Sequence, residues 1–229
     1  MEKVVLLSGG IDSTTCLALA LENTAPNNVL AINMYYGQKH AREIKSARDV
    51  ADYYAVDIIE LNLAEIFRFS DCSLLRESNQ VIPEESYAEQ LKKTDGCPVS
   101  TYVPFRNGLM LSVAASIALS VGAKEVYYGA HADDAAGNAY PDCSVAFTDA
   151  INEAIREGSG GNLKVVAPFI MATKAEVVRR GLALGAPYHL TWSCYKGEQK
   201  PCGKCGTCID RAKAFEINGQ KDPLEDEDV

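Results

Sequence analysis

Residues 4–14 read Val-Val-Leu-Leu-Ser-Gly-Gly-Ile-Asp-Ser-Thr, and no other stretch restricts the fold of this chain as tightly. A run of valine and leucine enters a Ser-Gly-Gly-x-Asp-Ser turn and leaves it as a helix-like segment. Gly9 and Gly10 let the backbone turn tightly and bring bare N–H groups close to an anion. The helix start adds its positive dipole end and the hydroxyls of Ser13 and Thr14. Two adjacent glycines at such a turn are common and would indicate little by themselves. Ser8, Gly9, Gly10, Asp12 and Ser13 together, one strand length from the first residue, indicate a phosphate-grasping loop. The loop lacks the Gly-Lys-Ser/Thr ending of a Walker A motif and the G-x-G-x-x-G of a dinucleotide fold.

The loop resembles the PP-loop of the N-type ATP pyrophosphatases. That resemblance implies an ATP held by its phosphates along the segment Leu7, Ser8, Gly9, Gly10, Ile11, Asp12, Ser13, Thr14, Thr15, Cys16 and Leu17, with AMP transferred to an acyl or amide oxygen.

Near the other end, Cys194, Cys202, Cys205 and Cys208 form C-x7-C-x2-C-x2-C with Gly203 and Gly206 in the tight part. Four thiolates at such spacings close a tetrahedron around Zn²⁺ and leave no open coordination position, so the expected role is structural. An iron–sulfur cluster fits the same ligands and stays open as a rival. A C-x-x-C redox pair would need only two of the four cysteines, and disulfides belong to oxidising compartments. The other cysteines, Cys16, Cys72, Cys97 and Cys143, are scattered without pairing pattern. With no signal-peptide h-region after Met1-Glu2-Lys3 and no apolar run of membrane-spanning length, the expected location is the cytoplasm, with no membrane partner.

A net charge of −9 over 229 residues opposes a nucleic-acid partner, which would want a basic face for phosphate contacts. The mildly basic stretch 196–213 reads as a solvated face around the cysteines. Strands are expected at 3–8, 28–34, 56–61, 124–130 and 163–167, and helices at 13–23, 39–54, 106–121, 145–157, 173–184 and 207–217. This alternation predicts an α/β fold: an open parallel sheet with helices on both faces, plus a C-terminal zinc knuckle. Thr173 and Glu176 form a capping box for the helix at 173. Residues 62–104, with Pro83, Gly96, Pro98 and Pro104, lack clear periodicity and read as a functional lid or insertion. The expected organisation is one domain over 1–218, including the knuckle at 194–208, and a frayed acidic tail over 219–229.

Ligands of such sheets sit at the carboxyl ends of the strands, so the segments that follow the strands carry the chemistry. After the second strand comes Tyr35-Tyr36-Gly37-Gln38-Lys39-His40. After the fourth come His131, Asp133 and Asp134, leading to Tyr140-Pro141-Asp142-Cys143. Val103-Pro104-Phe105-Arg106-Asn107 precedes a long helix. All should converge with Ser8–Ser13 on one cleft.

These motifs, in this order and with the cysteine knuckle, resemble the 7-cyano-7-deazaguanine synthases, also called preQ0 synthases, from Val4 to about Phe215. The resemblance implies a ligase that uses ATP, Mg²⁺ and ammonium to turn a 7-carboxy-7-deazaguanine carboxylate into a nitrile through an adenylate and an amide, in a homodimer. It departs from the family at Phe105, where many members carry glycine, and at Ser144, where many carry arginine. The chemistry can be matched to residues. Asp12 and Ser13 organise the phosphates, and Lys174 stabilises phosphate or a developing oxyanion, unless it is a plain surface lysine. Arg106 pairs with the substrate carboxylate or a phosphate, and Asn107 satisfies a base edge. A guanine-like edge wants a carboxylate, and Asp142, Asp133 and Asp134 are the candidates. Tyr36, Gln38, His40, His131 and Tyr140 complete the expected substrate wall. For His40 and His131 the residues leave open a proton carrier or a satisfied polar group at a strand end, Asp142 could instead cap the next helix, and Arg106 could simply begin one. Two other readings stay open: a PP-loop tRNA sulfurtransferase, and a zinc-knuckle adaptor with a degenerate nucleotide fold.

Overall fold

The structure, a computed structural model, describes residues 1–225. Strand β1 (Lys3–Leu6) runs into helix α1 (Ile11–Leu21), followed by β2 (Val29–Tyr35), α2 (Arg42–Tyr53) and β3 (Asp57–Asn62). After a long insertion that carries the short α3 (Tyr87–Leu91) come α4 (Arg106–Ser120), β4 (Glu125–Tyr127) and the single turn α5 (Ala132–Ala135). Then follow α6 (Val145–Gly158), β5 (Lys164–Val166), α7 (Lys174–Ala183) and α8 (Gly206–Ile217).

The five strands form one parallel sheet in the order β3-β2-β1-β4-β5, with Val4 opposite both Leu30 and Val126. The chain winds outward from β1 in both directions, so β1 and β4 diverge at the sheet centre and open a crevice at their carboxyl ends. Both faces are covered, which is why β1 and β2 read as continuous apolar runs rather than alternating ones. Val4, Ile32 and Val126 pack on one face with Leu111 and Ala114 of α4, and Val5, Ala31 and Val29 on the other with Leu17, Val50 and Val177. A third cluster joins Phe67, Leu74 and Leu75 of the insertion to Val103, Trp192 and the cysteines.

The expected elements all form, with no end shifted by more than three residues. The strand at 124–130 is cut to Glu125–Tyr127. Beyond it Gly129 lies so near α1 that a Cβ there would sit 2.9 Å from the Asp12 carbonyl carbon. The insertion holds one helix that the periodicity did not indicate, α3, and Ser86 and Glu89 form its capping box. The expected frayed tail is in part packed structure. Arg211, 2% exposed, holds Asp222 through two bonds of 2.6 and 2.9 Å, so burial and charge pairing order this stretch. The rest of the tail, 226–229, lies outside the described residues.

Candidate active site

The Ser8–Ser13 loop is held by its own hydroxyls. Ser13 Oγ accepts from the Ser8 N–H at 3.2 Å, donates to the Gly10 carbonyl at 3.1 Å and lies 3.0 Å from Ser8 Oγ. Gly10 is the N-cap of α1 and no side chain caps that end, which leaves first-turn N–H groups for an anion. Gly9 serves packing. At φ +88° it lets the loop touch α2, where a Cβ would sit 2.4 Å from the Glu43 carbonyl and 2.6 Å from the Ala47 nitrogen.

Loop and strand ends surround a cavity of about 250 Å³. Leu7, Ser8, Gly10, Ile11, Asp12 and Ser13 line it, with Tyr36, Gln38, Arg106, Asn107, His131, Asp134, Tyr140 and Lys174. The expected convergence is therefore real for these residues. Gly9, Thr14, Thr15, Cys16 and Leu17 are not on the wall. From Thr14 on, the helix turns into the core, where Thr15 Oγ1 bonds the Ile11 carbonyl and the Tyr188 hydroxyl, each at 2.8 Å.

One end of the cavity is a cluster of charge. Lys174 Nζ lies 2.5 Å from Asp12 Oδ2, so Lys174 is no plain surface lysine. His131, 3% exposed, places Nε2 3.7 Å from Asp12 Oδ1 and 3.4 Å from Asp134 Oδ2. Burial works against the Asp12 carboxylate, but Lys174 and then His131 outweigh it and hold its pKa below the ordinary value. Asp134 goes the other way: burial, with Asp12 adding repulsion, raises it against His131 and Lys174. Asp12 Oδ1 and His131 Nδ1 are buried without a hydrogen bond, and the carboxylate oxygen is acceptor capacity that a bound cation would fill. Asp133 is off the wall because its Oδ2 accepts from the Lys174 backbone N–H at 2.7 Å and caps α7.

The other end is built on aromatic rings. Arg106 opens α4 behind Phe105, whose left-handed φ of 54° is a conformation that glycine adopts without strain. The guanidinium stands over the Tyr36 ring, 4.9 Å from its centroid. Asp142, 4% exposed, lies behind this wall and accepts the Asn107 N–H at 2.8 Å. It caps a helix, as the sequence left open, but α4 rather than the next one, α6, which Ser144 caps. His40 is also off the wall, packed so closely on Gly197 that a Cβ there would sit 2.2 Å from the His40 Cβ. Tyr195 links two other rings, its hydroxyl 2.7 Å from that of Tyr87 and 3.5 Å from that of Tyr140.

Sequence reasoning missed Glu43, Tyr87, Trp192, Tyr195 and Asp210, all on the wall. Glu43 stands three residues after His40, and the Ser86-x-x-Glu89 box marks the start of the helix that carries Tyr87; both signals were readable. For Tyr195, only its place beside Cys194 hinted at a role.

The sulfurs of Cys194, Cys202, Cys205 and Cys208 all lie within 4.8 Å of one another. A tetrahedral zinc site with bonds of 2.3 Å has S···S edges of ~3.8 Å, and the Cys202–Cys208 pair stands at 4.0 Å. Backbone N–H groups of Lys196 and Cys202 point at Cys194 Sγ from 3.4 and 3.3 Å, the environment of a thiolate. The set fits a four-sulfur metal centre. It is tied to the Ser8–Ser13 loop through Trp192, whose N–H donates to the Gly9 carbonyl at 2.9 Å and whose Nε1 donates to the Cys194 carbonyl at 2.8 Å.

A family model described as "Queuosine biosynthesis protein QueC" matches residues 2–219. A 7-cyano-7-deazaguanine synthase of Archaeoglobus fulgidus is 43% identical over 225 residues, which is 98% of this chain and 90% of that one. One from Caldicellulosiruptor bescii is 41% identical, covering 98% of this chain and 97% of its own. Among solved structures, NMN synthetase from Francisella tularensis shares the fold, with a TM-score of 0.52 at 14% identity over 96% of this chain and 78% of that one.

Proposed function

We propose a mechanism for this chain, which belongs to the queuosine biosynthesis protein QueC family. It is a ligase-type enzyme that forms 7-cyano-7-deazaguanine, and it draws on 7-carboxy-7-deazaguanine, ATP and ammonium. The observation that carries this reading is the Asp12–Lys174 pair at an uncapped helix N-terminus, facing one cavity with Arg106.

A carboxylate is a poor acyl donor because its oxygen leaves badly. Attack of one carboxylate oxygen on the α-phosphorus expels pyrophosphate and makes AMP the leaving group. Ammonia then displaces AMP to give the amide. The amide oxygen attacks a second ATP in the same way, and loss of two protons with AMP leaves the nitrile. The N–H groups of α1, the Ser8 and Ser13 hydroxyls and Lys174 hold the polyphosphate and its growing charge. Mg²⁺, when bound with the nucleotide, neutralises part of that charge, and Asp12 is the residue that would hold it. Arg106 pairs with the substrate carboxylate, while Asn107 and Tyr140 bound the base. With Nε2 turned to the Asp12 and Asp134 carboxylates, His131 has Nδ1, which makes no hydrogen bond, as the nitrogen to take a proton from the attacking nitrogen.

Zinc is the reading we favour for the four sulfurs, because it supplies a closed tetrahedron with no electron chemistry that this reaction would need. The synthase unit is taken as 1–218 with the knuckle as an integral part, acting as a homodimer in the cytoplasm, which light scattering and cell fractionation test. A tRNA-sulfurating role gains no support: the net charge is −9, and burial raises the thiols of Cys16, in the helix that follows the loop, and Cys143, on the cavity wall, away from the reactive thiolate.

The test is chromatography of the reaction. Acid, ATP, Mg²⁺ and ammonium should give nitrile and AMP, and synthetic amide with ATP but no ammonium should give nitrile too. No nitrile from either, alongside sulfur incorporation into tRNA, would hand the case to the sulfurtransferase.

A further inference from the structure

The substrate of the proposed reaction presents a ring N–H beside an exocyclic amine, and one carboxylate accepts from both better than any neutral group. The carboxylates expected for this task are engaged elsewhere. Asp142 and Asp133 spend an oxygen on helix N-termini, and Asp134 faces His131. Two other carboxylates line the cavity with no hydrogen bond or ion pair to described residues, Glu43 and Asp210. Asp210 is surrounded by the charges of Lys174, Asp134, Asp133 and His131, which puts it at the phosphate end. Glu43 is flanked by Arg106 and Tyr36, at the aromatic end.

We propose that Glu43 reads the guanine-like edge of the substrate, accepting from the ring N–H and the adjacent amine. The proposal rests on the functional reading above and names the specificity residue of that site. Its helix turn is pinned for such a task. Arg42 stacks on Trp192 at 4.0 Å and donates to the Glu198 carbonyl at 2.7 Å, while Gly9 lets the Glu43 backbone sit against the phosphate loop. Base and ATP are thereby registered to each other through one glycine contact. Burial pushes the Glu43 carboxyl up to about 7 even against the pull of Arg106, and the two N–H donors of the base would favour the ionised form and draw it back down.

The test compares 7-carboxy-7-deazaguanine with its analogue bearing hydrogen in place of the exocyclic amine, in the full chain and in Glu43→Gln. A site built to accept an N–H rejects the analogue that lacks it, so the wild-type chain should prefer the amine-bearing acid by about 100-fold or more in kcat/KM. In Glu43→Gln that preference should shrink by at least about tenfold, with the KM for ATP within about twofold of wild type. An undiminished preference in Glu43→Gln, or no preference in wild type, overturns the proposal. Glu43→Asp, which keeps the charge but draws it back by one carbon, should retain the preference and raise the KM for the acid by roughly tenfold. If Glu43→Gln does not fold, an unchanged KM in Glu43→Asp overturns the assignment. A wild-type chain that converts neither acid overturns the functional reading itself, whereas conversion with an unchanged preference in Glu43→Gln overturns Glu43 alone.

Discussion

At the phosphate end of the cavity, Asp12, Lys174, His131 and Asp134 already hold one another, none of the three contacts longer than 3.7 Å. At the aromatic end, Arg106 and Glu43 face the same cavity without an ion pair among the described residues, and Arg106 stands over the Tyr36 ring. The difference fits what the proposed reaction asks of each end. A polyphosphate carries several charges, and a site for it needs its dipoles and cations set in place beforehand so that nothing reorganises as charge develops. A planar base brings its own donors, and the wall needs to leave acceptors open for them. The first end is self-supporting; the second depends on neighbours, since Tyr195 adjoins Cys194 and Tyr87 comes from the insertion.

The severest break of this contrast should come from the metal centre, because Trp192 and Tyr195 flank Cys194 and reach both ends. Cys205→Ser should lose about one bound metal per chain and cost several kcal/mol of stability, together with solubility. Elemental analysis and thermal melts check this, and iron in the native protein would replace zinc as the resident metal. Next in size, Asp12→Ala should lower kcat/KM by roughly 10³-fold and also lower the melting temperature, since a carboxylate held down on folding stabilises the native state at neutral pH and its loss leaves Lys174 unpaired. A Ser13→Ala variant should fall in the same direction. Wild-type turnover in both would show that the phosphate end lies elsewhere.

Smaller effects separate the two ends. Tyr195→Phe removes a hydroxyl that meets Tyr87 at 2.7 Å and should raise the KM for the acid by up to about tenfold, leaving the KM for ATP unchanged. An equal rise in both would mean the ends are not independent. The smallest effect concerns Asp134, whose carboxyl burial raises. A carboxyl raised on folding favours the native state most when protonated, so that support is lost as pH rises through its folded value, and at neutral pH the ionised form is a cost. Asp134→Asn should therefore melt slightly above the parent at pH 7 with lower activity, and the gap in melting temperature should close as pH falls below the usual aspartate range.

Much of this was legible without coordinates where residues near in sequence do the work. The phosphate turn, the alternation of strands and helices, the Thr173–Glu176 box and the four cysteines are local signals, and local geometry follows from dihedral preference and spacing. Misplacements came where a polar side chain had two local uses. Asp133, Asp142 and His40 stand beside wall residues in the chain, yet each turns away, toward a helix N-terminus or against Gly197. Which way such a side chain turns depends on a partner distant in sequence, as with Asp142 and the Asn107 N–H.

The sequence by itself therefore determined the α/β order, the glycine turn that opens α1 and the four-cysteine knuckle, because each is specified by contiguous residues obeying short-range sterics and charge. Only the tertiary structure decided which carboxylate is left over for a ligand. Glu43, Arg106, Tyr87 and Tyr195 come from four separate segments and meet only because Gly9 admits α2, Arg211 anchors the C-terminal stretch and the knuckle holds Trp192 against the loop. Free acceptor capacity in a cavity is what remains after every other polar group has been satisfied, and that sum can be taken only over the folded chain.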